Sequence, residues 1–174
     1  MLVIQGTIPD MEKMIPGLTP WHITFGTYGA RLHGGERRSV IRDKRSKTTT
    51  IIARDPDLED LNRGQMRGAP VLLTHEQRAY IQQTIPALCQ RGNWRLRCCA
   101  AASDHVHALL DIDPSVHGEK VRRLLKRWLT QALDQRWQRP PGGSWWAEQG
   151  SNKAIHDDAY LTNAYAYIAK QRAK

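Results

Sequence analysis

His105 and His107 stand one residue apart in the run Ala101-Ala102-Ser103-Asp104-His105-Val106-His107-Ala108-Leu109-Leu110-Asp111-Ile112. Two histidines separated by one apolar residue, inside an apolar run, suggest a β-strand. Side chains alternate along a strand, so both imidazoles project from one face, about 7 Å apart, while Val106 points to the other. Two imidazoles so placed can share one metal ion. The same spacing also fits a polar patch or a hydrogen-bonded pair.

Tyr167 and Gln171 form a second pair, near the end of the chain. Residues four apart share a helix face, so a phenol and a carboxamide point the same way. A phenol can attack phosphorus, and an amide oxygen is a hard ligand suited to Mg²⁺ or Mn²⁺. The alternative is a core aromatic that anchors a terminal helix. Tyr165 faces about 160° away from Tyr167 by helical period. Tyr160 shares its face two turns earlier and is the rival nucleophile.

The elements that must position these groups follow from pattern and punctuation. Trp21-His22-Ile23-Thr24-Phe25 alternates like a strand, and Gly29, Gly34 and Gly35 break it. Thr74 followed by Gln77 is a capping box, which starts a helix running to about Cys89, with Pro86 kinking or ending it. Arg91-Gly92-Asn93 is a stop and turn. Trp94 to Ala100 then alternates like a strand, and a tight Ser103-Asp104 turn makes it an antiparallel neighbour of the histidine strand. Val121, Leu124, Leu125, Trp128 and Ala132 form the apolar stripe of a helix from about Val116 to Trp137. Arg139-Pro140-Pro141-Gly142-Gly143 is a linker, and Asp157-Asp158 caps a last helix from Ala159 to about Lys170. Strands and helices interleave, which reads as α+β with a small antiparallel sheet. Residues 1–19 read as a flexible arm and 20–174 as a single domain with a basic insertion around 31–69.

The chain of 174 residues carries 26 Lys+Arg against 17 Asp+Glu, a net charge of +9. That balance favours polyanionic partners, above all nucleic acid, because neutralised phosphates release condensed counterions. A basic protein with no such partner is the plainer reading. Cys89, Cys98 and Cys99 show no paired spacing and read as buried free thiols, which points to a reducing compartment. Residues 1–14 do not resemble a signal peptide, and no stretch approaches 18 apolar residues. The expectation is a cytoplasmic protein with no membrane association.

Taken together, Asp104-His105-Val106-His107-Ala108-Leu109-Leu110, a following amphipathic helix and a terminal Tyr167-Ile168-x-x-Gln171 resemble the single-tyrosine HUH transposases of the IS200/IS605 type, including those associated with repetitive extragenic palindromes. Trp21 to Phe25 is similar to the family's first strand, Leu110 to Ser115 to the segment leaving its histidine strand, and Trp146 to the tryptophans before its terminal segment. The resemblance covers roughly residues 20–30 and 94–172. It implies the HUH fold, a ferredoxin-like or RRM-like antiparallel sheet with helices packed on it and a C-terminal nucleophile helix. It implies a DNA transposase, a single-strand nickase and ligase working through a 5′-phosphotyrosine intermediate. Tyr167 would be the nucleophile; His105, His107 and Gln171 would hold Mg²⁺ or Mn²⁺. Tyr160 lacks the glutamine four residues on, since Ala164 stands there. The substrate would be single-stranded or hairpin DNA, and the functional unit a homodimer. Arg37, Arg38, Arg42, Lys44, Arg45, Arg122, Arg123 and Arg127 are candidate phosphate contacts, and exposed tryptophans could stack on bases. Two other readings stand beside this one. The first is a domesticated, non-catalytic nucleic-acid binder of the same fold. The second is a metalloprotein of other chemistry using His105, His107 and Asp111.

Overall fold

The computed structural model describes residues 13–35, 39–42 and 49–172. Six strands and four helices follow one another along it: β1 (Thr19–Gly26), β2 (Ser39–Arg42), β3 (Thr49–Ile52), α1 (Pro56–Gly64), α2 (His75–Arg91), β4 (Arg95–Ala101), β5 (His105–Ile112), α3 (Gly118–Asp134), β6 (Ser151–Ala154) and α4 (Asp158–Arg172). Four strands form an antiparallel sheet in the order β4-β5-β1-β6. Without the β2–β3 hairpin and α1, the chain runs β1-α2-β4-β5-α3-β6. That βαββαβ sequence with interleaved halves is the ferredoxin-like arrangement. Part of the expected arm, residues 1–12, lies outside the described residues.

β5 is covered on both faces, so all eight of its residues are buried, whereas β1 buries chiefly one face. On one face Ile23, Phe25, Val106, Leu110 and Ile112 meet Ile81 and Ile85 of α2 and Val121, Leu125, Leu129 and Leu133 of α3. On the other face Cys98, Ala100 and Leu109 meet Ile155 and Leu161, Ala164 and Ile168 of α4. The sheet is therefore the wall between two packed layers, and its alternation decides which side chains reach which layer.

α2 begins as its sequence dictates. The Thr74 hydroxyl accepts from Gln77 N at 3.2 Å and the Gln77 amide oxygen accepts from Thr74 N at 2.9 Å. The helix does not stop at Pro86; it runs to Arg91. Proline removes the bond to the carbonyl four residues back, that of Gln82. The Cys99 thiol approaches that carbonyl at 3.9 Å. β4 contributes a partner where the helix lost one, and Ile81, Ile85 and Cys89 stay in one buried stripe.

α3 buries Leu129 and Leu133 in addition to Val121, Leu125 and Trp128. It also holds the segment that leads to β6: Lys126 donates to Ala147 O at 2.6 Å, and Trp146 Nε1 donates to Thr130 Oγ1 at 3.0 Å. Trp145 Nε1 donates to Asp134 Oδ1 at 2.8 Å. All six tryptophans pack into or against the core, so none is presented as a base-stacking platform. All three cysteines are free and buried, and burial pushes the Cys89 and Cys98 thiols up to about 12. Among the described residues no helix is long and apolar enough to cross a membrane.

The 31–69 segment, read from the sequence as a basic insertion, contains the β2–β3 hairpin and α1. α1 buries no residue, so no apolar stripe announced it. Its local signal is Asp55-Pro56: the Asp55 carboxylate caps Leu58 N at 3.1 Å and Pro56 occupies the first helical turn.

Candidate active site

β5 delivers both histidines to the α4 side of the sheet. The register pairs Thr24 with His107 and Gly26 with His105 across β1 and β5. Their rings meet edge to face with centroids 4.6 Å apart. Thr24 Oγ1 lies 2.9 Å from His107 Nδ1, and His22 Nε2 lies 3.1 Å from the same atom. Burial, with the neighbouring His105 and His22, lowers the His107 pKa to about 3, so its imidazole is neutral near pH 7. Nδ1 is the nitrogen engaged in hydrogen bonding.

His105 is oriented by the residue before it. Asp104 Oδ1 lies 2.5 Å from His105 Nδ1, and Asp104 Oδ2 accepts from Arg31 Nε at 3.0 Å. Burial pushes the Asp104 carboxyl up, but hydrogen bonds from Arg31 and His105 outweigh it and bring it to about 2. The carboxylate is therefore ionised and accepts, which assigns the proton of His105 to Nδ1. Arg31 Nη2 also stands 2.9 Å from that nitrogen. A guanidinium has only donors, so its attraction here is to Asp104 rather than to a protonated Nδ1.

Both remaining imidazole nitrogens, Nε2 of His105 and Nε2 of His107, are buried with no hydrogen-bond partner. Buried polar atoms without partners are uncommon and ask for a ligand or a catalytic role. Two imidazoles whose Nδ1 atoms are engaged and whose Nε2 atoms have no partner are a donor pair of the type that divalent metals take. Among the described residues no three His, Cys, Asp or Glu side chains gather to hold a metal. Gln171, which carries a hard amide oxygen, lines a cleft of about 410 Å³ with Arg31, Arg78, Asp104, His105 and Tyr167.

The Tyr167 ring stands edge-on to His107, with centroids 5.4 Å apart, and remains 48% exposed. Leu161, Ala164 and Ile168 bury the neighbouring face of α4 against the sheet, and Tyr167, about a quarter turn round the helix from them, lines the cleft. Tyr160 does not line it. That ring is partly buried beside the α4 core, with Lys153 Nζ 4.1 Å from its centre. Asp111 is also elsewhere: its Oδ1 accepts from Arg97 Nε at 2.8 Å in a fully buried pair. A bulge between Leu96 and Cys98 turns Arg97 to that side.

The structure thus brings together His105, His107, Tyr167 and Gln171. Among the described side chains, it does not bring Arg122, Arg123 or Arg127 to that cleft. Arg122, expected at the surface from charge alone, is buried and donates to the Gly150 carbonyl. Arg123 and Arg127 line a separate groove of about 610 Å³ with Lys120 and Lys126. Arg37, Arg38, Lys44 and Arg45 lie outside the described residues, and Arg42 ends β2. Arg31 and Arg78 are the cleft's own basic residues, and sequence reasoning did not single them out. No local motif marks either one. Arg31 follows the glycine break after β1, and Arg78 looks like any solvated helix residue.

Comparison with known proteins adds the family. The model described as "Transposase IS200 like" matches residues 69–171. No curated protein matches the chain. A crystal structure described as that of "a putative transposase from deinococcus radiodurans r1" is 14% identical, with a TM-score of 0.45. The match covers 93% of this chain and 97% of that one.

Proposed function

Because the chain belongs to the IS200-like transposase family, we propose that it cuts and rejoins single-stranded or hairpin DNA through Tyr167. One observation carries the reading: two buried imidazole nitrogens without partners belong to rings beside a half-exposed phenol, His105 lining the Tyr167 cleft and His107 standing edge-on to the Tyr167 ring. His105 Nε2, His107 Nε2 and the Gln171 amide oxygen would hold Mg²⁺ or Mn²⁺. Such an ion, when bound, polarises a phosphodiester and neutralises charge that develops on it.

The chain's own groups do the rest. Tyr167 Oη loses its proton to water and attacks phosphorus in line. An O–P bond forms to the tyrosine and the P–O3′ bond breaks, with the departing 3′-oxygen taking up a proton. The strand is left as a 5′-phosphotyrosine, which keeps the energy of the broken linkage. The 3′-OH of another strand then attacks the same phosphorus, restores the phenol and joins DNA without a nucleotide cofactor. Asp104 accepts at His105 Nδ1 and so favours the tautomer with a free Nε2, and Thr24 Oγ1, accepting from His107 Nδ1, would do the same for His107. Arg123 and Arg127 supply charge for flanking DNA. The homodimer is supported by the sequence resemblance.

The test is incubation with single-stranded hairpin DNA and Mg²⁺ or Mn²⁺, followed by denaturing gels. A covalent protein–DNA adduct should form and disappear in Tyr167→Phe. Tight, salt-sensitive binding with no adduct on any hairpin would replace this reading with a non-catalytic nucleic-acid binder.

A further inference from the structure

Arg78 sits on the first turns of α2, and three contacts fix that turn beside the histidines. The Thr74–Gln77 capping box sets the helix start. Leu73 N donates to Ser103 O at 2.7 Å, which ties the helix to the β4–β5 turn. The same turn carries Asp104 and leads into His105. The Arg78 side chain consequently lines the cleft together with Tyr167 and Gln171.

The charges in that cleft do not balance. Arg31 is matched by Asp104 through a 3.0 Å ion pair. Among the described residues no carboxylate pairs with Arg78, and its Nε is buried with no hydrogen-bond partner. A guanidinium presents donors in a fixed fork that matches two oxygens of a phosphate. A buried donor left without a partner costs free energy in the folded protein, so its retention beside the phenol points to a ligand that accepts.

We infer that Arg78 binds the non-bridging oxygens of the DNA phosphate that Tyr167 attacks. This rests on the phosphodiester reading of the site. The fork would hold the phosphate against the nucleophile from the α2 side of the cleft. It would also counter the charge that builds on those oxygens as the fifth ligand arrives at phosphorus. Arg31, engaged by Asp104, orients His105 and is not assigned to this contact.

The test starts from a hairpin oligonucleotide that the wild type converts to an adduct, with the cleaved linkage mapped on the gel. Arg78→Gln should slow adduct formation by about 10²–10³-fold, the usual effect of losing one preorganised donor to a transition state. Arg78→Lys should recover part of the rate by restoring charge without the fork. Binding gives an independent readout. In a Tyr167→Phe background, the hairpin should bind more tightly than the same hairpin carrying an uncharged methylphosphonate at the cleaved linkage. Adding Arg78→Gln should reduce that preference several-fold. A preference that persists undiminished in the double variant would overturn the inference, as would an Arg78→Gln adduct rate equal to wild type. Absence of any wild-type adduct would instead remove the phosphodiester reading on which the inference depends.

Discussion

The two faces of the central sheet differ more than any other two regions of the molecule, although the same strands make both. Toward α2 and α3, β5 presents Val106, Ala108, Leu110 and Ile112, all at most 1% exposed. That side is closed by hydrocarbon. Toward α4, it presents His105, His107, Leu109 and Asp111, and β1 adds His22 and Thr24. Only the stretch around Leu109, Cys98 and Ala100 is sealed by apolar residues of α4. The contrast teaches where stability and chemistry are kept. Each bare, buried imidazole nitrogen costs about 1–3 kcal/mol in the folded state. The hydrocarbon face offsets that cost, and a tightly packed partner layer keeps the histidine face in place.

The strongest way to break the contrast is at the phenol. Tyr167→Phe should abolish the covalent adduct while chemical denaturation stays within about 0.5 kcal/mol of wild type, as for an exposed substitution. A large loss of stability would make Tyr167 an anchor of α4 instead. On the opposite face, Leu110→Ala should cost about 2–5 kcal/mol in urea denaturation, since it opens a cavity in a fully buried layer. A negligible cost would mean that this layer is not what holds the sheet.

Asp104→Asn keeps the shape but removes the charge that fixes the His105 tautomer. Titration calorimetry should show Mn²⁺ affinity falling about 10–100-fold. Unchanged affinity would show that the Asp104–His105 contact is not a metal-positioning bond. A smaller effect is expected from pH. The His107 pKa falls from 6.5 to about 3 on folding, so the unfolded chain binds more protons between those values. Its contribution should be flat above about pH 6.5 and become destabilising as pH drops through that window. His22 is shifted in the same direction. His107→Gln should flatten the dependence measured by denaturation at a series of pH values. The smallest effect belongs to Tyr160→Phe, which should leave adduct formation unchanged; loss of the adduct there would move the nucleophile two turns back along α4.

The elements legible in the sequence are those with local causes. Thr74 and Gln77 announce the start of α2 because capping is settled within four residues. The alternation of Trp21, Ile23 and Phe25 announces β1 because one face must be buried. β6, with residues Ser151-Asn152-Lys153-Ala154, carries no such alternation; it is a strand because β1 offers its edge. Pro86 argues for a helix end, and the helix continues because burial of Ile85 and Cys89 and the Cys99 contact outweigh the lost bond. Arg122 reads as surface charge, but in the fold it is directed at the Gly150 carbonyl.

For the site, the sequence by itself determined that His105 and His107 share a face and that Tyr167 and Gln171 share another, because strand and helix periods are properties of the local backbone. It also placed the chain among its relatives, through the order of those motifs. Only the tertiary structure decided that the two faces meet, and that Tyr160 and Asp111 stay outside the meeting point. It also brought Arg31 and Arg78, 47 residues apart, to the same cleft. Such juxtapositions are set by sheet order and by which layer each helix packs on. Both depend on contacts between residues far apart in the chain, which no local pattern records.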